Sequence, residues 1–300
     1  MIQNDEGSCN MLNRLFGDYL VKKKKITQEQ LDSILSVSPD AKAEIATVAV
    51  VKKILTLSQI QVLLEKAGGQ ISGIGDLAVE EGVMTDDRLE QVISFQTNSF
   101  MIFVQNLMDQ RFLQLQEVNQ LIDAFQEEGK YDDSQLEALM LGDIEQIVNV
   151  FVPLKNKNLK QLTITMVQTF RRLIDKNVYL EKAYVANSLQ VDRYAAQLVT
   201  GDMHFKLYIS GAMEHLLAIA NYFTGDTYAT VDQDALDNVC EFVNCVNGQF
   251  ATNMSYEDVD IDMNAPECGM AGPYLNSGKL FVIPIHANGY SVRIIYEVYE

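Results

Sequence analysis

The stretch Asp237-Asn238-Val239-Cys240-Glu241-Phe242-Val243-Asn244 decides how this chain reads. Leu236, Val239, Cys240, Val243 and Val246 recur at three- and four-residue spacing, the apolar stripe of a helix. Glu241 and Asn244 are three residues apart beside that stripe, so they share one face and are expected to project outward together. One is an acceptor-only carboxylate, the other an amide that both donates and accepts. Such a pair can hold a water molecule or a partner's side chain without a metal ligand of its own. Glu-x-x-Asn arises roughly once by chance in a chain of this length, so its surroundings must carry the weight. Asp237 lies one helical turn before Glu241, and Pro266 follows Asn244 after 21 intervening residues.

Around this octet the carboxy-terminal half reads as mixed helix and strand. Leu162 to Asn177 has Val167, Phe170, Leu173 and Ile174 on one helical face. Tyr179 to Leu189 and Ala196 to Ile209 are rich in Val, Tyr, Leu and Phe and read as strands, with Gly201-Asp202 as a hairpin signal. Ala212 to Phe223 is a helix closed by Gly225, and Asp232 to about Met254 is the helix of the Glu/Asn pair. Lys279 to His286 and Ser291 to Val298 alternate as strands joined by Asn288-Gly289. The expected architecture is an α+β sandwich with helices packed on an antiparallel sheet.

This half resembles the CheX/CheC chemotaxis phosphatases. Their pattern is Asp or Ser, three residues, Glu, two residues, Asn, then about 22 residues and Pro; Asp237, Glu241, Asn244 and Pro266 follow it one residue short. Ser210-Gly211-Ala212-Met213 sits where the family opens its second helix, and Tyr222-Phe223-Thr224-Gly225 where it ends it. One Glu-x-x-Asn is present, as in CheX, and not two, as in CheC. Phe242 stands where the family usually has a small residue, and is expected to narrow a partner's approach. The resemblance implies a phosphatase acting on the aspartyl-phosphate of a CheY-like response regulator. Asn244 would orient the attacking water, Glu241 would anchor a partner lysine, and Asp237 would assist docking. It implies no cofactor of the protein's own, since the regulator supplies Mg2+. It also implies pairing of two copies into a homodimer. A non-catalytic adaptor with this fold is the alternative.

The amino-terminal half repeats. Thr27, with Gln30 three residues on, is a capping box ahead of Leu31, Ile34 and Leu35. Steps of about 29 residues from Thr27 reach Thr56, Thr85, Gln114 and Asp143, each opening an apolar helical pattern. Leu20-Val21, Ala49-Val50, Ala78-Val79 and Leu107-Met108 keep the same step, as do Gly17 and Gly75 across two. The expectation is an all-α helical repeat array, each unit burying its face on its neighbours. The boundaries expected are a polar tail over 1–13, the array over 14–154, a linker over 155–160 and the α+β domain over 161–300. Pro153 and Lys155-Asn156-Lys157-Asn158 mark the linker.

Two units resemble the amino-terminal domain of MshE-type secretion ATPases. Gly17-x-x-Leu20-Val21 with Ile26, Leu31 and Ile34-Leu35 is one copy; Gly75-x-x-Ala78-Val79-x-x-Gly82-Val83-Met84 with Leu89, Val92-Ile93 and Gln96 is the other. Members that bind cyclic di-GMP carry an Arg two residues before the first Gly. Leu15 and Gly73 occupy those positions here, and Lys24 stands where the later Gly belongs. The resemblance therefore implies a partner-binding or regulatory array, with a cyclic di-GMP-responsive regulator as an alternative.

Composition narrows the rest. A net charge of −18 argues against nucleic acid as a partner, because phosphate backbones require Lys and Arg clusters. The one basic run, Lys22 to Lys25, reads as a solvated helix end. No apolar run reaches the roughly 18 residues of a membrane span, and Met1 to Cys9 lacks the apolar region of a signal peptide, so a cytoplasmic protein is expected. Cys9, Cys240, Cys245 and Cys268 have no metal-ligand spacing, and His204, His215 and His286 are scattered.

Overall fold

A computed structural model describes residues 11–36, 41–69, 73–176, 178–230, 232–287 and 290–299. The chain divides into two compact units, Met1–Gly142 and Asp143–Glu300.

The described part of the first unit is helical: α1 (Met11–Lys22), α2 (Gln28–Leu35), α3 (Ile45–Val51), α4 (Leu57–Lys66), α5 (Ile74–Glu80), α6 (Asp86–Phe95), α7 (Ser99–Asp109), α8 (Leu115–Gly129) and α9 (Asp133–Leu141). Thr27 and Thr56 close capping boxes with Gln30 and Gln59, satisfying amides that a helix start leaves without partners. Thr85 and Gln114 hold the same extended cap conformation without a side-chain bond. Several helices end on a residue of positive φ: Lys24 (57°), Lys53 (57°), Gly82 (68°) and Arg111 (58°). Their amides bond back to the carbonyls of Val21, Val50, Val79 and Met108. Lys24 thus adopts the left-handed turn that Gly82 adopts. Gly17 on α1 and Gly75 on α5 let those helices close on Leu31 and Leu89, whose methyl groups occupy the space a Cβ would need. Phe16 meets Phe100 and Phe125 edge-on at 5.7 and 5.6 Å in a core with Leu12, Leu20 and Val104.

The second unit opens with α10 (Ile144–Phe151), capped by Asp143, and α11 (Lys157–Leu173). Helix α11 starts five residues before the expected Leu162, inside the stretch read as linker. The Asn156 side chain takes the amides of Asn158 and Leu159, and α10 packs on α11. Then follow β1 (Tyr179–Leu180), β2 (Tyr184–Ala186), β3 (Leu189–Gln190), β4 (Arg193–Gly201), β5 (Phe205–Gly211), α12 (Met213–Thr224), α13 (Gln233–Ser255), β6 (Ile261–Met263), β7 (Glu267–Gly269), β8 (Tyr274–Leu275), β9 (Leu280–Ala287) and β10 (Tyr290–Val298). The main sheet is antiparallel in the order β1-β9-β10-β5-β4-β6, with β2 also on β9 and β7 also on β4.

Two expected strands are redrawn. Tyr179 to Leu189 is three short pieces: β1 and β2 both pair with β9, and between them Ala183 donates to the Phe151 carbonyl, which interrupts the ladder. Ala196 to Ile209 is two strands, turned at Gly201 with φ 103°. The expected Asn288-Gly289 turn and the polar tail up to Asn10 lie outside the described residues. Helices α11, α12 and α13 are in contact with one another or with one sheet face. The other face carries Ala196, Tyr208, Val282 and Ile295 beneath Val191 and Leu275. The 23-residue α13 lies over β4, β5, β6 and β7, which positions everything that follows.

Candidate functional site

Helix α13 starts where Asp232 accepts the Ala235 amide, and its apolar stripe seats it on the sheet. Leu236, Val239, Val243, Val246 and Phe250 are all fully buried. Phe242 is fully buried as well, edge-on to Phe170 at 4.8 Å and to Phe223 at 5.7 Å. The expected narrowing by Phe242 is therefore corrected. Its ring points into the core between α11 and α12, because 100° per residue turns position 242 away from 241 and 244. Burying it contributes about 1.5–3 kcal/mol.

Asp237 and Glu241 are exposed one turn apart, and Asn244 is half-buried one turn further on. Glu241 and Asn244 meet at 3.5 Å, Nδ2 to Oε2. The expectation of two outward side chains holds fully for Glu241 and for one end of Asn244, whose Nδ2 faces Glu241. Asn244 turns its oxygen inward, where Oδ1 accepts from Gln197 Nε2 at 2.9 Å.

A cleft of about 370 Å³ opens beside this edge. Helix α13 lines it with Asp237, Cys240 and Glu241, and the β7 segment lines it with Pro266, Glu267 and Cys268. Three members of the sequence pattern, Asp237, Glu241 and Pro266, thus face one space although 28 residues separate the first from the last. Asp237 accepts from Gln233 Nε2 at 2.8 Å and from the Cys268 thiol at 3.5 Å. Burial raises the pKa of the Cys240 thiol, and neighbouring Cys268 and Asp237 add to the effect. Burial and then Glu241 raise that of Cys245. Both shifts favour the thiol over the thiolate at Cys240 and Cys245. Among the described residues, no group of three or more His, Cys, Asp or Glu is placed to hold a metal ion.

Sequence reasoning missed Gln197 and Asn247. The signal was present: Ala195, Gln197 and Val199 alternate onto one face of β4, and a lone amide between two buried apolar residues needs an internal partner.

Residues 194–286 match the model of the family described as chemotaxis phosphatase CheX. That span contains β4 from Tyr194 on, α12, α13 and the whole cleft. The carboxy-terminal half is also similar to solved structures at low identity. A chemotaxis protein CheX from Desulfovibrio desulfuricans is 17% identical, over 48% of this chain and 100% of that one, with a TM-score of 0.42. A CheC-like superfamily protein from a Shewanella species is 17% identical, over 47% and 97%, with a TM-score of 0.42. A chain of the CheX–CheY–BeF3–Mg complex from Borrelia burgdorferi is 13% identical, over 48% and 99%, with a TM-score of 0.41. Comparison with curated proteins finds no match.

Proposed function

We propose that the protein is a phosphatase that hydrolyses the aspartyl-phosphate of a CheY-like response regulator. The observation that carries this reading is the edge of α13: Asp237, Glu241 and Asn244 at successive turns, beside Pro266, inside the span that matches the CheX family. Glu241 accepts a charge-assisted hydrogen bond from a regulator lysine, and Asp237 extends the same acidic edge. Asn244 then holds a water molecule in line with the phosphorus. The water oxygen forms the new P–O bond, the bond from phosphorus to the aspartyl oxygen breaks, and the carboxylate leaves. Both protons of the water stay with the inorganic phosphate, which leaves as dihydrogen phosphate. The transition state is loose, so positioning is the main requirement, and no strong base is needed. The regulator's own lysine and Mg2+ neutralise the phosphoryl oxygens, so the phosphatase brings no cofactor. Two copies pair as a homodimer in the cytoplasm; no described helix is long and apolar enough to cross a membrane.

The first unit is, in this reading, an array of 29-residue helix pairs that binds a partner or regulates the second. The positions of its caps support that period. Extended caps lie at Thr27, Thr56, Thr85 and Gln114, and left-handed turns at Lys24, Lys53, Gly82 and Arg111.

The test is phosphate release from a phosphorylated regulator. The protein is expected to accelerate it, and Asn244→Ala to lose the acceleration. Binding of the regulator without acceleration would instead establish an adaptor.

A further inference from the structure

We infer that Gln197 is a positioning residue that fixes which end of the Asn244 amide faces outward. Gln197 lies on β4 under α13 and is 1% exposed, so each of its polar atoms needs a partner inside the protein. Its Nε2 donates to the Asn264 backbone carbonyl at 2.8 Å and to Asn244 Oδ1 at 2.9 Å. Its Oε1 accepts from Nδ2 of the fully buried Asn247 at 2.9 Å.

A side-chain amide can rotate by half a turn and exchange its donor and acceptor ends. Here the Asn264 carbonyl forbids the exchange, because a backbone carbonyl only accepts. Asn264 is itself held, since its own amide donates to the Leu198 carbonyl at 3.0 Å. The end of Gln197 that faces Asn264 must be the amine, and the same amine meets Asn244. Asn244 must therefore turn its oxygen inward and its Nδ2 outward, toward Glu241. One backbone carbonyl on the strand side of the cleft sets the polarity of a chain that ends at the site. Asn264 is two residues before Pro266, so the segment that lines the cleft also supplies this anchor.

The catalytic consequence rests on the phosphatase reading. An outward N–H holds the water by its oxygen and leaves a lone pair free for phosphorus, and Gln197 touches neither water nor phosphate. Gln197→Glu puts a carboxyl with at most one hydrogen to donate where Nε2 gives two, so the bonds to Asn264 and Asn244 cannot both form and the hold on the Asn244 oxygen is released. We expect kcat to fall about tenfold or more with KM unchanged, because Glu241 and Asp237 still dock the regulator. Gln197→Met removes the donor with little change of shape; it shows the same split if Gln197→Glu folds poorly.

A melting-temperature cycle tests the orientation without any activity. In a Glu241→Gln background, which removes the carboxylate 3.5 Å from Nδ2, Asn244→Asp keeps an oxygen facing Gln197 and should melt within about 2 °C of its parent. In the same background, the double variant Gln197→Glu with Asn244→Asp sets two carboxylates together, and should melt at least about 4 °C below the sum of the single shifts. Additive shifts, or variants that raise KM while kcat holds, overturn the inference. A native protein without phosphatase activity overturns the function proposed above, and the melting cycle alone then decides the orientation of Asn244.

Discussion

Phe242 and Cys240 flank Glu241 in the chain, yet neither takes part in the chemistry proposed for it. Phe242 wedges between Phe170 and Phe223, so Phe242→Ala should cost about 3–5 kcal/mol, read from urea unfolding, while leaving the acidic edge of α13 in place. Cys240 is buried beside Cys268 at the wall of the cleft, and its native pKa lies above that of an unfolded cysteine, about 8.5. Above that pH the unfolded chain loses the thiol proton and the native protein keeps it. The native state then binds more protons, so the contribution of this thiol is complete below about pH 8.5 and declines as pH rises. The stability advantage of the native protein over Cys240→Ala should therefore shrink between about pH 7.5 and 10, measured by denaturant titration at each pH. An advantage that grows over that range would contradict the burial assigned to Cys240.

Helix α13 was legible from its sequence because its signals agree: an Asp232 cap, a stripe of Val and Leu at helical spacing, and no Gly or Pro until Gly248. The strand fragments β1, β2, β3, β6, β7 and β8 were not separable by reading. Each has only two or three residues, too few for alternation to declare itself, and each is defined by a partner strand far away in sequence. The inward turn of Asn244 was hidden for the same reason, since its partner Gln197 is 47 residues away. In the helical unit, Lys24 shows how a sequence departure can leave a structure intact. It stands in a left-handed turn that glycine adopts without strain. Lys24→Gly should raise stability by about 0.5–1 kcal/mol, the relief of strain exceeding the added freedom of the unfolded chain. Gly75→Ala should act oppositely and cost about 1–3 kcal/mol, because its Cβ would enter the space of a Leu89 methyl group. Thermal or urea unfolding of the two variants reads both signs.

The whole chain joins two units of different construction, one helical and one built on an eight-stranded antiparallel sheet. Leu15 and Gly73 leave the first without the arginines of the cyclic di-GMP-binding pattern, so calorimetry with micromolar cyclic di-GMP should register no binding. The net charge of −18 favours a partner that presents lysines, and predicts that the association rate with a regulator falls as salt is raised. The central claim is that the edge of α13 positions a water for attack on an acyl phosphate. Its most direct measurement is the rate of phosphate release from a phosphorylated CheY-like regulator, with native protein and with Asn244→Ala at saturating concentration. The predicted result is a marked acceleration by the native protein, lost by about 100-fold in Asn244→Ala with regulator binding retained. Equal rates with both proteins, whether accelerated or not, would contradict it.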